Sequence, residues 1–227
     1  MHQKTLLLSN ANTKLKKLEK RLNKKIYSID LISGWSCPFA KICKSKVVGD
    51  QYGLHIQDGK YTKFRCYSAS QEALYTHVFM RRLKNYQILK SIEKSIKKLV
   101  CCISSSIPSD ADIIRYHVAG DFFCKNYMRA AIEVANKHPN TIFYSYTKAI
   151  AYFNDLMDNM PPNFRLVASY GGMQDYDIND KMTTATVFKT KEDVTEGLEI
   201  DHDDYHAYLP QKNFALLIHG IQPKGIK

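Results

Sequence analysis

The apolar positions of this chain follow two alternating rhythms. Ile26-Tyr27-Ser28-Ile29-Asp30-Leu31-Ile32 is rich in β-branched residues, alternates, and stops at Ser33-Gly34, which predicts a strand over 26–32. The same signature predicts strands over 113–119, 141–146, 164–169, 184–188 and 214–218. From Ser68 to Val100 there is neither Gly nor Pro, and Ile88, Ile92, Ile96 and Leu99 recur at intervals of three and four, which predicts one long helix. Its outer face is expected to carry Arg81, Arg82, Lys84, Lys90, Lys94, Lys97 and Lys98. Shorter helices are predicted over 127–137 and 150–159, the first closed by His138-Pro139. Six strands separated mostly by helices predict an α/β domain with a parallel sheet over 26–227. Ahead of it, Leu15, Leu18 and Leu22 at helical spacing among seven Lys and Arg predict a basic amphipathic helix or N-terminal arm over 1–25.

Charge sharpens this picture. The chain of 227 residues has a formal net charge of +11, and residues 1–149 hold 26 Lys and Arg against 10 Asp and Glu, while 150–227 hold 7 against 12. A basic front half admits nucleic acid as a partner, because clustered cations release counterions condensed on phosphates; a solvated basic face is the plainer reading. No apolar run approaches the roughly 18–20 residues of a membrane span, and the run at Leu6-Leu7-Leu8 is too short for a signal peptide, so a cytoplasmic protein without a membrane partner is expected.

In parallel α/β folds functional groups collect beyond the carboxyl ends of the strands. The segment after the first predicted strand carries Cys37 and Cys43, and Cys66 opens the helix that follows. Later strands are followed by Gly120, Asp121 and Cys124, by Tyr146, Thr147 and Lys148, by Ser169, Gly171 and Gly172, and by His219 and Gly220. All should share one rim, whereas Cys101 and Cys102 fall near the opposite rim. Three thiolates on one connection suit an iron–sulfur cluster, a zinc ion, or no metal at all if they are simply buried. The spacing C-x5-C-x22-C matches no zinc ribbon, and a fourth ligand would come from Cys124, His55 or His117. Asp121 is a cofactor contact or a helix N-cap. Lys148 binds an anionic substrate or is a surface lysine. His117, inside a strand, reads as a hydrogen-bonded core histidine. The segment Asp201-His202-Asp203-Asp204-Tyr205-His206 is an acidic loop or a second metal site, with Asp203, Asp204 or His219 near the pocket.

The blocks LSNANTKL (8–15), SCPFAKIC (36–43), FRCYSASQEA (64–73), IRYHVAGDFF (114–123), FYSYTKA (143–149), NFRLVASYGG (163–172), GLEIDHDDYHA (197–207) and FALLIHGIQPKG (214–225) together resemble a family of bacteriophage proteins, the gene-product-88-like group. That resemblance implies the cytoplasm of an infected bacterial host. More remotely the chain is similar to the radical S-adenosylmethionine (SAM) superfamily. This implies a partial six-stranded (β/α)6 barrel-like domain, a [4Fe-4S] cluster on Cys37, Cys43 and Cys66, and SAM bound near Ala119-Gly120-Asp121. The superfamily's usual cysteine motif is compact, C-x3-C-x2-C, whereas the third cysteine here is displaced by the insertion 44–65. If Cys124 completes the ligand set, no iron is open to SAM and the cluster serves electron transfer, sensing or structure.

Two functions follow as expectations. In the first, the chain is a redox or radical-SAM-like iron–sulfur protein supplied by an electron donor, with Asp121 and Lys148 as catalytic candidates and Asp121, Tyr146, Thr147 and Ser169 lining the cofactor pocket. In the second, it is a zinc- or cluster-stabilised nucleic-acid-binding module without catalysis, using the basic arm and the helix face 81–98, with tyrosines available for base stacking.

Overall fold

A computed structural model describes residues 5–220 and 222. The first four residues of the expected arm, and 221 and 223–225 of the last resembling block, lie outside them. The elements in chain order are α1 (Thr13–Leu22), β1 (Ile26–Ile29), β2 (Ser45–Asp50), β3 (Gly53–Asp58), α2 (Tyr67–Leu74), α3 (Thr76–Ser91), α4 (Ile96–Ser104), β4 (Ile113–Tyr116) and α5 (Lys125–Lys137). There follow β5 (Ile142–Thr147), α6 (Ile150–Leu156), β6 (Phe164–Ser169), β7 (Thr184–Phe188), β8 (Glu199–Ile200), α7 (Tyr205–Tyr208) and β9 (Phe214–Leu217).

Seven strands form one sheet in the order β1-β4-β5-β6-β7-β9-β8, and every pair is parallel. From β1 through β7 each strand of this sheet adds beside the one before it, and the order reverses only at the end, where β9 lies between β7 and β8. Alternation along the strands sends neighbouring residues to opposite faces. Ile114, Phe143 and Leu166 join a core with Leu89 of α3, Leu99 and Ile103 of α4, Met128 and Val134 of α5, and Phe153 of α6. Ile113, Tyr144 and Val167 face the other way, onto Leu15 and Leu18 of α1 and Ala207 of α7. The parallel α/β sheet is thus as expected, but barrel closure is not seen among the described residues, where β1 and β8 stand at the two ends of the order. The edge of β1 is covered at one point by an antiparallel bridge between Ser9 and Ser28.

The N-terminal segment is a packed helix rather than an arm. Asn12 caps α1, its side chain accepting from the backbone of Lys14 and Leu15, and Leu15 and Leu18 are buried against the sheet. Before it, Asn85 of α3 accepts from the backbone N–H of Leu7 and donates to the Leu7 carbonyl, fastening the strand-like lead-in. The cations are largely spoken for: Lys14 pairs with Asp204, Lys16 with Glu19, Arg21 with Asp203, Lys24 with Asp112 and Lys25 with Asp110.

The long helix predicted over 68–100 is three helices. The chain leaves helical geometry at Tyr75 (φ −124°, ψ 95°) and again before Ser95, whose side chain accepts from the backbone of Lys98 to start α4. Its buried stripe is also partly polar. Arg82, expected outside, is 2% exposed and pairs at 3.1 Å with Glu72 of α2, which is fully buried. A second difference lies in the insertion 44–65, which forms the antiparallel hairpin β2–β3 and stands apart from the main sheet.

Candidate functional site

A cavity of about 630 Å³ opens beyond the carboxyl ends of the parallel strands. Its wall takes Gly120 and Asp121 after β4, Tyr146 of β5 with Thr147 and Lys148, Ser169 of β6, and His219 and Gly220 after β9, as the rim argument expects. Cys37, Cys43 and Cys66 line the same cavity.

The hairpin explains how cysteines so far apart in sequence meet. Ser45 pairs with Asp58 at its base, and below this the Gly59 N–H and Thr62 hydroxyl donate to the Lys44 carbonyl, and the Lys63 and Phe64 N–H groups to the Ile42 carbonyl. The Cys66 N–H then donates to Ser45 Oγ at 3.2 Å. The ladder therefore returns the chain to where it left, and the 22 residues between Cys43 and Cys66 add little separation in space.

The loop carrying Cys37 and Cys43 is clamped between the ends of other strands. Gly120 (φ +95°) leaves no room for a side chain, since a Cβ there would lie 2.7 Å from Leu31 Cβ and Ser36 Oγ. Gly171 (φ +93°) likewise abuts Ile42, and its carbonyl accepts from the Lys41 and Ile42 N–H groups. Asp175 holds that turn by accepting from the Gly171 and Gly172 N–H groups. Burial, then the fields of Asp121, Cys66 and Cys43, push the Cys37 thiol well above its ordinary value. Burial and Cys43 push Cys66 up to about 11.

The other wall residues hold one another. Asp121 does not cap a helix; it accepts from the Phe122 N–H, from Thr147 Oγ1 at 2.7 Å and from the Lys148 N–H at 2.8 Å, tying the end of β4 to the end of β5. Burial nevertheless raises its carboxyl above the ordinary carboxylate value. Lys148 Nζ donates to Ser169 Oγ at 2.6 Å and to the Ser169 and Tyr170 carbonyls, so its charge is engaged rather than projecting free. Tyr146 donates to Asp204 and Asp201.

Cys124 is placed elsewhere. It precedes α5, packs against the helical face of the core, and feels the charges of Glu93 and Lys90 of that face, so it does not join the cavity cysteines. His55 lies on β3 facing Asp50. Cys102 is buried near the end of α4 and is not part of the cavity wall. Among the described residues no group of three or more His, Cys, Asp or Glu side chains is gathered to hold a metal ion. In the segment 201–206 two of the three acids already have cations, Asp204 having Arg115 and Lys14 and Asp203 having Arg21, while Asp201 accepts from the Tyr146 hydroxyl.

That Arg115–Asp204 pair is the feature the sequence reading missed. Asp204 (φ +65°) is fully buried, and both Tyr144 and Tyr146 donate to it. Burial alone would raise its carboxyl, but Arg115 and Lys14 outweigh burial and hold it below its ordinary value. One signal was available: Arg115 is two residues from Ile113 on a strand, on the face that packs inward, and a cation there requires a counter-ion.

His117 also lines the cavity, in the left-handed region at φ +65°, with Nε2 3.0 Å from the Tyr127 hydroxyl. It is a buried, hydrogen-bonded histidine just past the end of β4 rather than within it. Burial, assisted by Arg115, lowers it to about 3. An unfolded histidine takes its proton near pH 6.5, so the native state loses stability as the pH falls from there toward 3. Between pH 7.5 and 5.0 this contribution is about 2 kcal/mol. His117→Asn, which keeps a side chain tolerant of positive φ, is expected to shrink the difference in urea-unfolding free energy between those pH values by about that amount. Equal pH slopes in the two proteins would show that His117 is not the group responsible.

No helix among the described residues is long and apolar enough to cross a membrane. No curated protein and no solved structure matches the chain, and the remoter resemblance to the radical SAM superfamily finds no support in these comparisons. A family model described as Gene product 88 does match, over residues 6–227, and with nearly the whole chain covered this phage-associated protein belongs to the Gene product 88 family.

Proposed function

We propose that this is an iron–sulfur protein in which Cys37, Cys43 and Cys66 ligate a [4Fe-4S] cluster at the mouth of the cavity. The observation that carries the reading is the hairpin closure that returns Cys66 to Cys43, so that three cysteines line one cavity within one another's electrostatic field. A closed zinc site suits the arrangement less well, because it wants four ligands and no fourth cysteine lines the cavity. A four-iron cluster is larger than one ion and asks for a wider triangle of thiolates. With Cys124 absent from the cavity wall, three protein thiolates would leave one iron for an outside ligand. When bound, such a cluster supplies one-electron chemistry.

The chain's own part is to hold the site. Gly120 and Gly171 let the cysteine loop lie against the strand ends, and Asp121, Thr147, Lys148 and Ser169 lock the facing wall. Because Cys37 and Cys66 are held protonated, ligation must release protons, and iron retention should fall as pH is lowered.

Anaerobically purified protein is expected to contain about four iron and four sulfide. Changing Cys37, Cys43 or Cys66 to Ala should abolish iron binding, with Cys124→Ala and Cys101→Ala retaining it. Zinc alone, no metal, or unaltered iron in the first three variants would overturn the proposal. Electron paramagnetic resonance of the reduced protein with and without SAM separates a radical-SAM-like enzyme, whose signal changes, from an electron-transfer or sensing protein served by a donor. The nucleic-acid reading has less support, since most cations of α1 have carboxylate partners and Arg82 is internal. It retains the exposed lysines Lys84, Lys94, Lys97 and Lys98 on α3, α4 and the turn between them.

A further inference from the structure

We infer that the corner of the cavity bounded by α1 and the end of β9 is a binding site for the anionic group, phosphate or carboxylate, of a small organic ligand. Five cations, Lys14, Lys17, Arg65, Arg115 and Lys148, line the cavity against two carboxylates, Asp121 and Asp204. Two of the cations are committed elsewhere: Arg65 to Asp58 through two nitrogens, and Lys148 to the carbonyls and hydroxyl at the end of β6. The remaining three lie at the α1 corner, where a single acid pairs with two of them. Lys14 and Arg115 share Asp204, and Lys17 pairs with no carboxylate among the described residues. Arg115 Nε is buried there without a hydrogen-bond partner. Asp30 and Asp201 also act on this corner, on Arg115 and Tyr146, and what they leave unmatched is Lys17, a cation with no carboxylate of its own, beside the buried Arg115 Nε.

The rest of that wall determines what kind of anion fits. Val187 of β7 and Leu216, Leu217 and Ile218 of β9 and its end line the same cavity as an apolar surface, and His219 packs edge-on against Tyr67 at 6.4 Å. A cavity of about 630 Å³ with an apolar side and a few convergent charges has the form of a small-molecule site, and low-dielectric walls focus the field of the cations on it. A bare inorganic ion would leave the apolar wall unused, so the ligand expected is an anion carrying an apolar chain or ring. Tyr67 adjoins Cys66, which places this ligand beside the cysteines. The inference does not rest on the cluster: it stands on the cations alone and is tested in protein with or without iron.

The test is calorimetric titration of the full chain at low ionic strength with two probes, phenyl phosphate for phosphate chemistry and phenylacetate for carboxylate chemistry. One or both are expected to bind, more tightly than inorganic phosphate or acetate, and the tighter of the two identifies the anion. Lys17→Glu, at an exposed position free to change without disturbing the fold, is expected to weaken that binding by about tenfold or more. Lys94→Glu, equally exposed on the outer helices, should leave it unaltered. No binding of either probe, Lys17→Glu binding as the parent does, or equal weakening by Lys94→Glu would each overturn the assignment. Retention of the binding in Cys37→Ala would show that it stands whatever becomes of the cluster.

Discussion

Asp204→Asn is expected to destabilise the protein by about 3–5 kcal/mol, measured as the shift in urea-unfolding free energy at neutral pH. The substitution keeps the size of the side chain and its tolerance of the left-handed backbone that Asp204 adopts, so the lost charge is what is tested. Arg115 and Lys14 would then share no anion, and the hydroxyls of Tyr144 and Tyr146 would face an amide. Most of the cost falls on Arg115, which is 11% exposed on its side chain and cannot shed its proton. The companion variant Arg115→Met should cost less when combined with Asp204→Asn than the two separately, because removing both charges leaves neither one buried alone. Additive losses would mean that the pair is not the unit of stability.

The second large effect is expected at Arg82. Arg82→Met leaves Glu72 fully buried without its cation and should cost about 3–5 kcal/mol by the same argument. Glu72 also accepts from the Ser33 N–H and hydroxyl, at 2.6 Å for the latter, in the loop that leads to the cysteines. Burial already pushes the Glu72 carboxyl above its ordinary value despite Arg82, and loss of Arg82 removes the main opposing influence. The stability of Arg82→Met should therefore be greatest at mildly acidic pH, where Glu72 is protonated, and fall as pH rises. Glu72→Gln in the same background should recover part of the loss at neutral pH, since the amide oxygen still accepts from Ser33. A pH-independent deficit would assign the effect to packing around the lost guanidinium instead.

How legible these features were depends on what each one needs. The strands β6 and β7 are found at the predicted limits, because β6 is buried along most of its length between turn residues and β7 is a short β-branched run. The rim residues Asp121, Tyr146, Thr147, Lys148 and Ser169 were legible for the same reason: once the strands are placed, topology puts their ends together. The break at Tyr75 was not legible. Nothing between 68 and 100 forbids helix, and the chain turns there because Glu72 and Arg82 meet only if α2 and α3 are separate bodies. Arg82 is by type a surface cation and is internal here only because Glu72, ten positions away, supplies the partner that a buried charge needs. The hairpin was hidden in a segment exposed along much of its length, where the apolar alternation that marks a strand is weak.

The sequence by itself determined the class of the fold, the identity of the rim and the presence of three thiols on one connection, because these depend on periodicity and order along the chain, which are local. Tertiary structure decided which groups share a space. It brought Cys66 back to Cys43 through a ladder, left Cys124 out of the cavity wall, and set Lys14, Arg115 and Asp204 against one another from a helix, a strand and a loop. Those outcomes depend on register, on the face to which each side chain turns, and on where a buried charge finds its counter-ion, and these are settled only when distant segments pack.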